Sequence, residues 1–290
     1  MNILVLGGTR FFGVPMVKKL AARGHTVTIA TRGLTPDGFG DGVERIVLNR
    51  CDPDSLRKAL GGRYFDAAID KIAYCSNDIR YLLDVLECGQ YLYMSTTAVY
   101  EPKHMNTTEA DFDPARGAFR WENRADSDYA QVKRGAERAL FQCYPQVVKA
   151  AVRMPVVLGR DDYTGRLKFY AENTVRGVPM HIDNADAPMS FIRSDEAGLF
   201  LAFLAEQDFT GAIHAASQGT VTIAEILAYV REKTSCAAIL SPDGTPAPYN
   251  GEPAFSINTD RAAALGFRFS EVREWIFGLV DSYIAEVCNG

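Results

Sequence analysis

No stretch of this 290-residue chain approaches the ~18 consecutive apolar residues of a membrane span. The apolar run after Met1, Ile3 to Leu6, is also too short for the core of a secretory signal. A cytoplasmic protein without a membrane partner is therefore expected. Positive charge is not in excess either: 31 Lys and Arg face 36 Asp and Glu, a net charge of -5, which argues against a general electrostatic grip on nucleic acid. Cysteines at ligand spacing are missing. Cys51, Cys75, Cys88, Cys143, Cys236 and Cys288 form no Cys-x-x-Cys and have no histidine pair nearby, which fits neither a zinc site nor a disulfide framework in a chain this long. No metal is expected, and the thiols read as reduced and mostly buried.

With 47% hydrophobic and 23% charged residues, the chain can bury one large core or two coupled ones. Strand-like and helix-like stretches alternate through the first half. ILVL at 3 to 6 leads to a helix carrying Val14, Val17, Leu20 and Ala21, closed by Gly24. Then follow strands in HTVTIATR, VERIVLN, FDAAID, YLYMST and VVKAAVR. The helices between them include DPDSLRKAL, one opening near Ser76 and Asn77 with Ile79, Leu82, Leu83 and Leu86 on one face, and one from about Asp126 to Cys143. This order predicts an α/β fold: a Rossmann doubly wound parallel sheet, residues 1–159, to which 193–217 return as a helix and a strand. Residues 160–290 read as a smaller α/β substrate domain. It holds a loop-rich stretch to 192 with one helix, a helix capped by Thr222 with Glu225, a proline-rich loop from Ser241 to Pro253 and a final helix near 270 to 286.

The turn after the first strand carries chemistry. Gly7, Gly8, Thr9, Arg10, Phe11, Phe12 and Gly13 follow a strand and open a helix, the arrangement that brings backbone N–H groups up to a pyrophosphate. Gly7 permits the tight turn and Gly13 lets helix and strand pack closely. Arginine stands at the middle position of Gly-x-x-Gly-x-x-Gly. The second strand ends Ala30-Thr31-Arg32, with no carboxylate where an NAD enzyme places one against the ribose 2'-hydroxyl. Arg10 and Arg32 without an acid point to the 2'-phosphate of NADP rather than to NAD. The plainer alternative is that both are solvated surface residues.

Further on, "DSDYAQVK" places Tyr129 and Lys133 one helical turn apart. An ammonium beside a phenol stabilises the phenolate and lets it exchange protons nearer neutrality. Upstream, "MSTTAVY" puts Ser95, Thr96 and Thr97 at the C-terminal end of the fifth strand, where open parallel sheets hold ligands. At least one of those hydroxyls is expected to satisfy strand-end backbone instead.

With these motifs the chain resembles the extended short-chain dehydrogenase/reductases, the NAD-dependent epimerase/dehydratase group. The likeness runs from the glycine turn through Thr97 to Tyr100, Tyr129 to Lys133, "VRMPVVLG" at 152–159, "SFIRSDEAG" at 190–198 and Gly266-Phe267. The Gly-Gly-Thr-Arg-Phe opening is most similar to a branch that includes chloroplast RNA-binding relatives. The resemblance implies that Thr96 matches the catalytic Ser/Thr, Tyr129 the acid/base and Lys133 the residue that orders the nicotinamide ribose. It also implies Asn49 and Arg50 beside the adenine, the backbone of Lys71, Ile72 and Ala73 near the cofactor, and a homodimer through the helices after the fourth and fifth strands. Two departures matter. No Asp-Glu follows Thr96, which argues against dehydration. Met189 and Tyr249 stand where sugar-nucleotide epimerases keep substrate-clamping arginines, so a nucleotide-diphosphate substrate would need Arg160, Arg166, Lys168 or Arg193 instead.

Two readings follow. The first is an NAD(P)-dependent oxidoreductase or epimerase that moves hydride between nicotinamide and a carbonyl or alcohol carbon of a small, sugar-like substrate. The second is a non-catalytic relative that senses NADP(H) or binds RNA. Segment 101–128 is expected to form part of the substrate wall, with a surface excursion as the alternative.

Overall fold

The computed structural model describes residues 1–289. Its first half alternates as the apolar runs predict: β1 (Asn2–Leu6), α1 (Gly13–Ala22), β2 (Thr26–Thr31), β3 (Val43–Val47), α2 (Pro53–Leu60), β4 (Tyr64–Asp70), α3 (Ser76–Leu83), β5 (Glu87–Thr96), α4 (Tyr129–Cys143) and β6 (Lys149–Met154). The second half adds β7 (Val156–Leu158), α5 (Arg166–Arg176), β8 (Met180–His181), β9 (Phe191–Arg193), α6 (Ser194–Leu204), β10 (Gly211–His214), α7 (Ile223–Thr234), β11 (Thr245–Pro246), α8 (Asp260–Ala264) and α9 (Val272–Asn289).

Seven strands form one parallel sheet in the order β10-β6-β5-β4-β1-β2-β3. Both faces of β1 are covered, which is why Ile3 to Leu6 is an unbroken apolar run rather than an alternating one. Ile3 and Val5 pack with Met16, Val17 and Leu20 of α1 and Phe200 and Leu201 of α6. Leu4 and Leu6 face the other way, into Leu82 of α3 and Ala136 and Leu140 of α4. Each of these buried aliphatic side chains contributes ~1.5–3 kcal/mol. A third cluster gathers Leu167, Tyr170, Ile223, Ile226, Trp275 and Ile276 from α5, α7 and α9.

The strand order reverses between β1 and β4, and a doubly wound sheet opens its ligand crevice at that point. Element ends follow local chemistry. Thr222 and Glu225 make the capping box of α7. α4 starts at Tyr129, three residues later than its apolar pattern suggests, because the Asp128 carboxylate caps it by accepting from Gln131 N at 2.9 Å. The paired strands β7/β9 and β8/β11, and the five-residue α8, were not apparent in the sequence: elements this short show no periodicity.

A buried polar seam joins the sheet to the segments behind it. Glu137 of α4 and Arg153 of β6, both fully buried, pair at 2.6 Å. Arg153 also donates to the Tyr100 hydroxyl at 2.8 Å, which in turn donates to His214 Nε2. His214 Nδ1 bonds the Asn258 carbonyl at 2.7 Å; a carbonyl can only accept, so Nδ1 carries the proton. Burial holds this imidazole neutral, with its pKa lowered to about 4. Among the described residues no helix is long and apolar enough to cross a membrane.

Candidate active site

The turn between β1 and α1 is shaped by backbone needs. Gly7 and Gly8 have φ of +94° and +103°, a region closed to most side chains. A Cβ on Gly13 would stand 2.7 Å from Gly8 Cα, so the start of α1 can approach the turn only as glycine. Phe11 sits in the left-handed region at φ 53°, a conformation that costs a bulky residue on the order of 1–3 kcal/mol. α1 has no side-chain cap and no acid in its first turn. The Gly13 and Val14 N–H groups are taken by the Arg10 and Phe11 carbonyls at 3.1 and 2.9 Å and Pro15 has none, so this end of α1 offers an anion its positive dipole end and the turn that precedes it.

Arg10 and Arg32 are both exposed at this end of the sheet, and Thr9 is partly buried. Asn49 lies exposed beyond β3, its Oδ1 accepting from Cys51 N at 3.2 Å. Arg50 behaves differently. Its guanidinium is buried against the Asp70 carboxylate, and a second nitrogen lies 2.8 Å from Asp78. Asp70 Oδ1 accepts from Ile72 N at 3.0 Å and Ala73 N at 2.9 Å, while Oδ2 accepts from the Tyr91 hydroxyl at 2.9 Å. Asp78 accepts from Tyr74 N at 2.7 Å. The charged cluster thus fixes the backbone of 71–75 from below, and Arg50 has no freedom to follow a ligand with its side chain. Charge on Asp70 and Asp78 holds the guanidinium firmly protonated.

That fixed loop meets α4. Lys133 is fully buried, and its ammonium donates to the Ala73 carbonyl and the Met94 carbonyl at 2.8 Å each. It stands 5.1 Å from the Tyr74 ring centre and 4.8 Å from that of Tyr93. Desolvation lowers its pKa to about 7, against the pull of Asp70, Glu137 and Asp78. One turn earlier, Tyr129 packs edge-on to Tyr74 at 6.2 Å and remains 48% exposed, open to a cleft of about 560 Å³. Partial desolvation raises its phenol above the ordinary range, the reverse of the lowering expected from a neighbouring ammonium, because Lys133 spends its charge on two carbonyls; hydrogen bonding to Thr96 opposes the rise, as do the charges of Arg166 and Arg124. Thr96 ends β5, with its hydroxyl accepting from Ala98 N at 3.2 Å. The hydroxyl that satisfies strand-end backbone is thus Thr96 itself, while Ser95 donates to the buried Glu137 carboxylate.

The cleft gathers residues from distant parts of the chain. Phe11 and Phe12 come from the glycine turn, Thr96 and Tyr129 from the sheet end, Tyr163 and Arg166 from the start of the second half, and Tyr249 and Phe255 from the proline-rich loop. Segment 101–128 divides its labour. Lys103 and Arg124 near its ends line the cleft, with Arg124 3.7 Å above the Tyr74 ring. Its middle instead packs on α3 and α4, where Ser76 Oγ donates to the Arg120 carbonyl at 2.8 Å and Arg138 to the Ala118 carbonyl at 3.0 Å. Tyr74 was not apparent in the sequence because it lies far along the chain from Tyr129 and Lys133, and Arg124, though only five residues before Tyr129, stands in a polar loop without a motif.

No family model matches the chain. It is 31% identical over 113 residues to chloroplast stem-loop binding protein of 41 kDa b of Arabidopsis thaliana, a match spanning 34% of this chain and only 30% of that relative. It is 24% identical over 259 residues to 2'-dehydrokanamycin reductase of Streptomyces kanamyceticus, covering 87% of this chain and 71% of the relative. Among solved structures, UDP-glucose 4-epimerase of Thermus thermophilus in complex with NAD superposes with a TM-score of 0.71 at 19% identity, over 98% of this chain and 99% of that one. The chain has the extended short-chain dehydrogenase/reductase fold.

Within that fold the glycine turn fits a dinucleotide: a cradle that a Cβ at Gly7, Gly8 or Gly13 would fill, under an uncapped helix. Met189 and Tyr249 line the cleft as uncharged, buried residues. Tyr249 stacks on Tyr170 with ring centres 5.7 Å apart, and its hydroxyl has no protein partner. Of the four cations considered for a diphosphate, Arg166 lines the cleft, whereas Lys168 pairs with Glu286 and Arg193 with Asp195. Arg160 lies exposed on the loop beyond Gly159.

Proposed function

We propose that this protein is a nicotinamide-dependent oxidoreductase that reduces a carbonyl, or oxidises the matching alcohol, on a small sugar-like molecule. The observation that carries the reading is that Thr96 and Tyr129 line one cleft together with Phe11 and Phe12 of the glycine turn, while Lys133, one helical turn on from Tyr129, lies buried behind them on the Ala73 and Met94 carbonyls. A bound nicotinamide supplies or accepts hydride. Tyr129 delivers the proton: burial keeps its phenol protonated at neutral pH, the state that carbonyl reduction requires. Thr96 supports the same oxygen by hydrogen bonding, and Lys133, fastened to the Ala73 and Met94 carbonyls, is assigned the ribose of the nucleotide. The exposed Arg10 and Arg32, with no acid at the end of β2, favour NADP over NAD.

The reductase and epimerase names of the relatives support a sugar-like substrate. Two uncharged residues, Met189 and Tyr249, on the substrate side favour one without a nucleotide diphosphate. Acting as an RNA binder is the second reading, supported by the name of the Arabidopsis relative and opposed by the net charge of -5.

Fluorescence titration with NADPH and NADH, followed by a panel of keto sugars scored for NADPH oxidation, tests the reading. Tighter binding of NADPH and turnover of a keto sugar are expected. Tyr129→Phe should keep nucleotide affinity and lose 10²–10⁴-fold or more in turnover. Full activity in that variant would remove the role assigned to the phenol.

A further inference from the structure

Lys71 follows the last residue of β4, and its backbone N–H reaches the Leu6 carbonyl at 3.4 Å, which sets it directly beside the first glycine of the turn. Its side chain runs across that turn instead of out to solvent. A Cβ on Gly7 would lie 3.0 Å from Lys71 Cγ. The ammonium ends 3.0 Å from the Arg10 carbonyl and 4.3 Å above the Phe12 ring. Desolvation there lowers its pKa to about 8, and Asp161 is the acid whose charge works against that shift. Among the described residues it forms no ion pair. A partly buried ammonium has three donors, and one carbonyl and one ring face leave it short of full compensation.

The backbone around it is arranged for negative charge. The backbone of the glycine turn and the positive dipole end of α1, which has no acidic residue in its first turn, come to the same place. In a doubly wound fold the pyrophosphate is held at that turn by backbone N–H groups. Here a lysine stem lies over the same glycines. We propose that Lys71 is a side-chain ligand for a phosphate of the bound dinucleotide, namely its pyrophosphate, adding a charge-assisted hydrogen bond to the backbone cradle. The inference rests on the dinucleotide reading above and extends it from backbone to side chain. The buried Asp70, Arg50 and Asp78 cluster is what holds the lysine there, since Asp70 anchors the two residues that follow it.

The test is fluorescence titration of the full chain with NADH and with NADPH, comparing wild type, Lys71→Met and Lys71→Arg, with thermal unfolding of each. NADH carries only the pyrophosphate, whereas NADPH adds the 2'-phosphate. Lys71→Met should weaken both nucleotides by a similar factor of about tenfold or more, the size of a hydrogen bond to a charged group. Lys71→Arg should stay within about threefold of wild type, because it keeps the charge and the reach. An NADH affinity unchanged in Lys71→Met overturns the proposal. Loss confined to NADPH also overturns it, by assigning the ammonium to the 2'-phosphate. An equal loss in Lys71→Arg, together with a lower unfolding midpoint in both variants, would mark the lysine as a packing residue only. Wild type that binds neither nucleotide would fail the dinucleotide reading itself, and the proposal with it.

Discussion

The two ends of the cleft differ in how fully their buried acidic and phenolic oxygens are partnered. At the glycine-turn end, Asp70 is completely buried, yet its two carboxylate oxygens meet Arg50, the Tyr91 hydroxyl and two backbone N–H groups. On the far wall, the buried Tyr249 hydroxyl has no protein partner and neither does Asp162 Oδ2. A satisfied buried network rigidifies its surroundings, whereas a buried group without a partner is an exception that needs a reason. The Asp70 carboxylate is fully partnered and anchors the backbone of 72 and 73, although Arg50 Nε and the Tyr93 hydroxyl at the same end make no hydrogen bond among the described residues. The far wall leaves the Tyr249 hydroxyl and Asp162 Oδ2, both on cleft-lining residues, buried without a partner among the described residues.

Breaking the glycine-turn end should cost most. Asp70→Ala leaves Arg50 buried with half its counter-charge removed and frees two backbone N–H groups, so a loss of about 3 kcal/mol or more in urea unfolding is expected. A loss under 1 kcal/mol would show that the network is not the anchor described. The seam between the halves should respond to acid. The His214 pKa is lowered in the folded protein, so the unfolded chain binds the extra proton and stability falls as pH drops from 6.5 toward 4. Over that window this single group accounts for about 3 kcal/mol. Unfolding measured at pH 7 and 4.5 should therefore show a shallower pH slope in His214→Gln than in wild type; equal slopes would contradict the neutral assignment. The smallest effect is expected on the far wall. Tyr249→Phe removes a hydroxyl that bonds nothing in the protein, so its stability should lie within about 0.5 kcal/mol of wild type, while KM for an active keto sugar rises. A large loss of stability would mean that the hydroxyl has a structural partner after all.

Much of the sheet was legible in the chain because each buried parallel strand is a short apolar run bounded by turn residues, as in Ile3 to Leu6 and Phe65 to Asp70. The glycine turn was legible for a related reason: positive φ at Gly7 and Gly8 and the close approach at Gly13 demand that residue type. Thr96, Tyr129 and Lys133 could be aligned by motif; Thr96 and Tyr129 line the cleft, and Lys133 is buried behind it. The substrate wall could not be read this way. Tyr74, Arg124, Arg166 and Tyr249 come from four separate segments, and β7, β8, β9 and β11 are two or three residues long. Arg50 shows the limit from the other side. A resemblance places it beside an adenine, but only packing reveals that its guanidinium serves Asp70 and Asp78.

Transfer of deuteride from 4-deuterated NADPH to a keto sugar, followed by mass spectrometry of the product, tests the hydride-transfer assignment most directly. The account predicts one deuterium on the new alcohol carbon with wild type, and none with Tyr129→Phe at saturating nucleotide. Label appearing equally with both proteins, or NADPH that binds but yields no labelled product from any keto sugar in the panel, would contradict it.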